Sequence, residues 1–149
     1  MKIKQIFLQR YPTWLSVVFI IPIGFASKFY SGPAAHWVND SLGGLFYVIF
    51  WCLFFSLFLP QVKPFVIAAS VLISTSILEF LQLWHPSFLE WIRSFFLGRA
   101  LIGTSFVPSD FLYYIFGAFI GWAWMVILRR LEFFSPKQGE NHGQKIQTK

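Results

Sequence analysis

Four long apolar runs, separated by short polar or proline-containing segments, dominate the pattern of hydrophobic and polar positions along the chain. They extend from about Tyr11 to Tyr30, Trp37 to Leu59, Pro64 to Trp84 and Asp110 to Leu128. Each run is close to the roughly 20 residues that a helix needs to cross a bilayer. The pattern therefore predicts an all-α membrane protein built as a bundle of four transmembrane helices.

Proline and glycine mark the connections between these runs. Ser31-Gly32-Pro33 separates the first two helices, and the segment from Pro60 to Pro64 is short enough to make the second and third helices antiparallel neighbours. The basic residues before the first run resemble a signal peptide. Pro22 inside the run and the three later spans favour a retained first helix.

Residues 85–108 interrupt the apolar pattern and do not form a fifth span. They contain His85, Glu90, Arg93 and Arg99 among aromatic residues, prolines and glycines. Apolar residues at helical spacing around Arg93 predict a short interfacial helix, on the outer side, between the third and fourth spans. Residues 1–134 then form one transmembrane domain. Residues 135–149 lack apolar periodicity and are predicted to be a disordered cytosolic tail.

The composition agrees with a membrane protein. Of the 149 residues, 56% are hydrophobic and only 12% are charged, too apolar a balance for one small soluble core. The formal net charge is +6, but the basic residues flank the apolar runs, which excludes nucleic acid as the expected partner. The three histidines show no metal-ligand spacing, so we expect no metal site and no cofactor.

The basic residues also predict an orientation. With four spans and an inner amino terminus, nine of the 12 lysines and arginines fall on the cytosolic side and three on the outer side. This asymmetry follows the positive-inside rule. We therefore expect a multi-pass protein of the bacterial inner membrane with both termini in the cytosol.

Ionisable residues at the outer ends of the helices form the candidate site. Asp40 and Tyr47 share one helix face, Thr75, Glu79 and Gln82 a second, and Asp110 and Tyr114 a third. A carboxylate inside an apolar membrane helix costs about 2.5–3.5 kcal/mol on insertion scales, so it needs a partner or a water-filled cavity. The candidate ligand-binding residues are Glu79, Gln82, Arg93, Arg99, Asp110, Asp40 and Tyr114.

The sequence is compatible with structural as well as functional roles for these residues. Asp40 and Asp110 are also suited to the start of a helix, as capping residues or as charges facing the helix dipole. Arg93 and Arg99 are also suited to contacting lipid phosphates. Glu79 is either a neutral buried carboxyl or a paired carboxylate. We expect it to contact Arg99 or, failing that, Arg93, directly or through water, because a buried charge requires compensation.

Two glycines four residues apart predict close helix packing in the last span. Gly117 and Gly121 form the small-xxx-small pattern, which lets another helix approach its backbone. We expect this face to contact a helix of the same chain. It is also a candidate surface for a homo-oligomer.

A family resemblance covers the stretch from Glu79 to Gly121. It lies in the order Glu79-x-x-Gln82, an intervening arginine, Asp110, Tyr113-Tyr114 and Gly117-Ala118-Phe119-Ile120-Gly121. This order resembles that of the VanZ-like small membrane proteins and, more closely, a related bacterial family of uncharacterised inner-membrane proteins. The resemblance implies a four-helix membrane protein, with glycopeptide-antibiotic resistance as a distant functional hint and no established reaction.

Two classes of function fit these observations. In the first, an outer-facing polar pocket binds an envelope lipid or a cell-wall-related ligand. In the second, a small intramembrane enzyme uses Glu79 or Asp110 as a general acid or base, and Arg99 holds an anionic group of the substrate. Binding is favoured because the chain has no catalytic triad or metal-binding motif, but whether the protein is an enzyme stays open.

Overall fold

The computed structural model describes residues 10–103 and 106–134, and every regular element in these ranges is a helix. The predicted disordered tail, residues 135–149, lies outside the described residues. The helices, in chain order, are α1 Tyr11–Lys28, α2 Ala35–Phe58, α3 Pro64–Leu81, α4 Ser87–Ser94, α5 Phe96–Ile102 and α6 Asp110–Phe134.

Three of these helices, α2, α3 and α6, are long and apolar enough to cross a membrane. This agrees with the predicted all-α membrane class. Helix α1 has 18 residues but carries Thr13 and Ser16 near its start and Ser27 and Lys28 at its end, and it is not one of the three. A fourth span through α1 therefore remains a proposal.

Close contact between α2 and α6 forms the centre of the bundle. A Cβ atom added to Gly117 would lie 2.8 Å from the Leu45 carbonyl oxygen, and one added to Gly121 would lie 2.9 Å from Cys52 Cβ. The glycines thus contact a helix of the same chain, as expected. Helix α2 of the same chain covers this face, and a homo-oligomer through it stays an untested prediction.

Helices α1 and α3 pack against this central pair. The buried core contains apolar residues from all four long helices: Val17, Ile20, Val48, Ile49, Cys52, Leu53, Ile67, Ala68, Val71, Tyr114, Ala118, Met125 and Leu128. Large apolar side chains such as Leu15, Ile73 and Phe119 are exposed on the outward faces. An exposed apolar surface of this kind matches solvation by lipid chains.

At one end of the bundle, a charged cluster joins the start of α1 to the end of α6. Arg10 donates hydrogen bonds to the carbonyl oxygens of Ser56 and Leu57 and lies 3.4 Å from a Glu132 carboxylate oxygen. The Thr13 hydroxyl donates to the same carboxylate. These contacts explain why α6 continues to Phe134, beyond the predicted end at Leu128.

The segment after α3 also differs from its predicted outline. Helix α3 ends at Leu81, not Trp84, because the Gln82, Leu83 and Trp84 amides bond to carbonyls only three residues earlier. The predicted interfacial helix is two short helices, α4 and α5. They are separated at Phe95, whose backbone is extended.

Candidate functional site

A cavity of about 440 Å³ opens at the end of the bundle opposite the Arg10–Glu132 cluster. Here α1 and α3 end and α2 and α6 begin, because successive long helices run in opposite directions. Side chains with polar atoms that line it are Lys28, Asp40, Tyr47, Trp51, Thr75, Glu79, Gln82, Arg99, Asp110 and Tyr114. We call this space the polar cavity.

The polar cavity brings together six of the seven residues selected from the sequence. They are Asp40, Glu79, Gln82, Arg99, Asp110 and Tyr114. The helix faces predicted around Asp40, Glu79 and Asp110 therefore do converge. Ligand binding by these residues stays a prediction.

Glu79 is the most deeply buried of these groups, with 1% of its surface exposed. Its carboxylate accepts hydrogen bonds from Gln82 Nε2 at 2.9 Å, the Val107 amide at 2.9 Å and the Tyr114 hydroxyl at 2.6 Å. The donors come from three parts of the chain: the end of α3, the segment before α6, and α6 itself. Glu79 thus fixes the inner wall of the polar cavity.

The expected direct contact between Glu79 and an arginine is wrong. In the described part of the chain, the ion pairs do not include Glu79. Three neutral donors satisfy the carboxylate, so its burial does not require a guanidinium group. The backbone amide of Val107 reaches Glu79 because the chain folds back over α3 before α6 begins.

Arg93 lies outside the polar cavity and holds α4 against the end of α3. It is 5% exposed and donates hydrogen bonds to the carbonyl oxygens of Leu81 and Trp84. It also bonds Glu90, whose pKa is lowered first by its hydrogen bond with His85 and then by the one with Arg93. The arginine supplies further donors to carbonyl groups at and just beyond the end of α3, where the hydrogen-bond pattern of the helix stops.

Asp110 differs from Glu79 in having an unsatisfied oxygen. Its side chain is 7% exposed and lines the polar cavity, and Oδ1 has no hydrogen-bond partner among the described residues. A buried carboxylate oxygen without a donor is costly, because it has lost water and gained nothing in exchange. Asp110 is therefore the group in this site most in need of a donor from a ligand or water.

Charged side chains of both signs surround the rest of the cavity. Lys28 and Arg99 are exposed, and Arg99 makes one long hydrogen bond, of 3.5 Å, to the Ser94 carbonyl oxygen. Asp40 lies in a five-residue π-helical turn, Val38–Leu42, and pairs with His36 at 3.1 Å. Turns of this kind occur frequently at functional sites.

An apolar wall forms the side of the cavity between α1 and α5. Ile21 and Phe25 of α1 and Leu97 and Leu101 of α5 line the cavity while remaining exposed to the surroundings. The rings of Phe25 and Phe96 stack with centroids 6.4 Å apart and join the two helices. An apolar chain therefore finds a matching surface next to the polar groups.

Sequence reasoning missed Lys28 as a site residue. The signal was present, since Lys28 ends the first apolar run on the same side as Asp40 and Asp110. Its aliphatic stem packs beside Gly43, where an added Cβ would lie 3.0 Å from Cε. In the described residues, no cluster of His, Cys, Asp and Glu is arranged to hold a metal ion.

Comparison with known proteins finds one matching family model. It is described as a protein of unknown function, DUF2809, and it matches residues 34–118. The matched region runs from the start of α2 to the middle of α6 and contains every selected site residue. No curated protein and no solved structure matches the chain.

Proposed function

This chain belongs to the DUF2809 family of unknown function, and we propose that it is an inner-membrane protein that binds an envelope lipid or a lipid-linked cell-wall precursor in the polar cavity. The observation that carries the proposal is the combination of a buried, unsatisfied carboxylate with an apolar wall in one cavity. A soluble polar ligand would leave the wall unused. A purely apolar ligand would leave Asp110 without a donor.

The proposal includes four spans, with α1 as the first, and α4 and α5 at the outer membrane surface. Exposed aromatic residues on and between these two helices, Phe88, Trp91, Phe95 and Phe96, support an interfacial position. The polar cavity would then open to the outer leaflet. The matching family model does not name the VanZ-like proteins, so the resemblance to them, and with it a role in the cell envelope, stays part of this proposal.

We propose a small intramembrane enzyme as the second candidate. The observation that favours it is the unsatisfied carboxylate oxygen of Asp110. Its free oxygen makes it a better general base than Glu79, whose oxygens already accept three hydrogen bonds. Arg99 would hold an anionic group of the substrate at the rim. Accumulation of a chemically altered lipid with the wild-type protein, but not with Asp110→Asn, would favour the enzyme.

The proposal is tested by filling the cavity. An added Cβ at Gly24 would make only an ordinary contact, 3.8 Å from Phe46 Cβ, so Gly24→Leu is expected to fold and to occupy the cavity. Ala26→Leu is the matched control, because Ala26 is exposed on the same helix. The measurement is the lipid that remains bound to the purified protein, determined by native mass spectrometry.

We expect Gly24→Leu to weaken lipid retention on the order of tenfold, corresponding to about 1.4 kcal/mol. Ala26→Leu should retain lipid like the wild type. Equal retention by all three proteins would mean that the lipid does not occupy the polar cavity, and the proposed function would be abandoned.

A further inference from the structure

We propose that the polar cavity selects a zwitterionic lipid headgroup in which a phosphate is joined to a primary ammonium group. Asp110 accepts hydrogen bonds from the ammonium, and Lys28 and Arg99 hold the phosphate. This inference rests on the proposed function and adds the chemical class of the headgroup.

The ammonium is assigned to Asp110 because of the unsatisfied Oδ1 atom. Asp110 lines the cavity, and its buried Oδ1 atom has no hydrogen-bond donor among the described residues. A primary ammonium supplies three N–H donors and a positive charge, and charge-assisted hydrogen bonds are about twice as strong as neutral ones. A quaternary ammonium has no N–H group and cannot satisfy Oδ1.

The phosphate is assigned to the two basic residues at the rim. In the described part of the chain, the ion pairs include neither Lys28 nor Arg99. Both side chains line the same cavity from different helices, α1 and α5. Guanidinium and ammonium groups are the usual partners of phosphate oxygens.

The charge balance of the lining favours a zwitterion over an anionic lipid. Two basic residues, Lys28 and Arg99, face three acidic ones, Asp40, Glu79 and Asp110, so the lining carries one net negative charge when all five are ionised. A headgroup with a net negative charge would add repulsion at Asp110. A zwitterion places opposite charges against both groups and adds no net charge.

The size and wall of the cavity fit a lipid and not the headgroup alone. About 440 Å³ lies within the range of roughly 300–1,000 Å³ typical of small-ligand pockets. The apolar wall between α1 and α5 leads from the cavity to the exposed surface. The acyl chains would follow this wall into the bilayer, while the headgroup remains among the charged residues.

The test compares lipids that differ only in their headgroups. Delipidated wild-type protein in detergent is titrated with phosphoethanolamine, phosphocholine and phosphoglycerol lipids of the same acyl chains, and bound lipid is counted by native mass spectrometry. We expect the phosphoethanolamine lipid to bind about tenfold more tightly than the other two, since only it satisfies Asp110 with a charged donor. Soluble phosphoethanolamine, without acyl chains, should bind more weakly than the lipid.

Two variants test whether the headgroup preference depends on the polar cavity. Asp110→Asn should reduce the headgroup preference to less than about twofold, while Glu90→Gln, at an exposed carboxylate outside the cavity, should leave it unchanged. The comparison on wild-type protein needs no substitution, so it tests the inference even where Asp110→Asn does not fold.

The outcomes separate the inference from the proposed function. Equal binding of the three lipids, or tighter binding of the phosphoglycerol lipid, would overturn the zwitterion assignment and leave a lipid-binding cavity. Equal binding of soluble phosphoethanolamine and its lipid would overturn the role of the apolar wall. Failure of all three lipids to bind the wild-type protein would overturn both this inference and the envelope-lipid form of the proposed function, leaving only the lipid-linked precursor.

Discussion

At the scale of single residues, Glu79 shows that a buried carboxylate can be accommodated by neutral donors. An amide side chain, a backbone amide and a tyrosine hydroxyl each donate to it. Hydrogen bonds to a charged group contribute about 1.5–3 kcal/mol each, so three of them offset a large part of the cost of burial. The nearby arginines are free for other roles, and Arg93 uses its donors on the end of α3.

This arrangement predicts which residues are coupled to Glu79. Double-mutant cycles on the free energy of unfolding in detergent should give a coupling of about 0.5–3 kcal/mol between Glu79→Gln and Tyr114→Phe. The cycle of Glu79→Gln with Arg99→Gln should be additive within about 0.5 kcal/mol, because no contact joins the two side chains. Strong coupling to Arg99 together with additivity at Tyr114 would contradict the hydrogen-bond arrangement described here.

At the scale of elements, the contact of α2 with α6 depends on small residues. Gly117 faces a backbone carbonyl oxygen of α2, whereas Gly121 faces the side chain of Cys52. The Cβ atom of Cys52 is bonded to the α2 backbone and moves only with it, so neither neighbour can move aside freely. Both positions therefore tolerate little added volume.

We expect Gly117→Ala and Gly121→Ala each to lower the free energy of unfolding by about 1–3 kcal/mol, since overfilling a close contact forces the helices apart. Ala26→Leu, which adds volume on an exposed helix face, should change it little. Thermal unfolding of the detergent-solubilised protein measures all three. A Gly117→Ala protein as stable as the wild type would place this face away from α2.

Helical periodicity explains which parts of the site could be predicted from the sequence. Asp40, Glu79 and Asp110 each share a helix face with other polar residues, and a face is fixed by spacing alone. The partners of Arg93 and the Val107 amide depend on how the chain folds back after α3, and helical spacing within a short helix does not determine where that helix packs. Lys28 was missed because a single lysine at a helix end is ordinarily a solvated charge.

At the scale of the whole molecule, the two ends of the bundle have different chemistry. One end joins Arg10 and Glu132 in an ion pair, and Arg129 there donates to the Val62 carbonyl oxygen. The other end holds the polar cavity. The proposed orientation places the first end in the cytosol, in agreement with the excess of basic residues predicted for that side.

Cysteine labelling tests this orientation. The native Cys52 is fully buried and should not react with a thiol reagent. Any labelling therefore reports on the introduced cysteine. In intact cells, a membrane-impermeant thiol reagent should label Ser31→Cys, next to the cavity end, and should not label Gly139→Cys. Labelling of Gly139→Cys, with Ser31→Cys protected, would reverse the proposed topology.

The hydrogen bonds of Glu79 also bear on how the protein is made. Two of its three donors, Val107 and Tyr114, are synthesised 28 and 35 residues after it. In the proposed four-span topology, α3 enters the bilayer while these residues are still inside the ribosome or translocon, and the carboxylate then has only Gln82. A polypeptide interrupted before α6 would lack the Tyr114 hydroxyl, leaving Gln82 and Val107 as the donors to Glu79. The residue that shapes the cavity therefore acquires its full set of donors only after α6 has been synthesised.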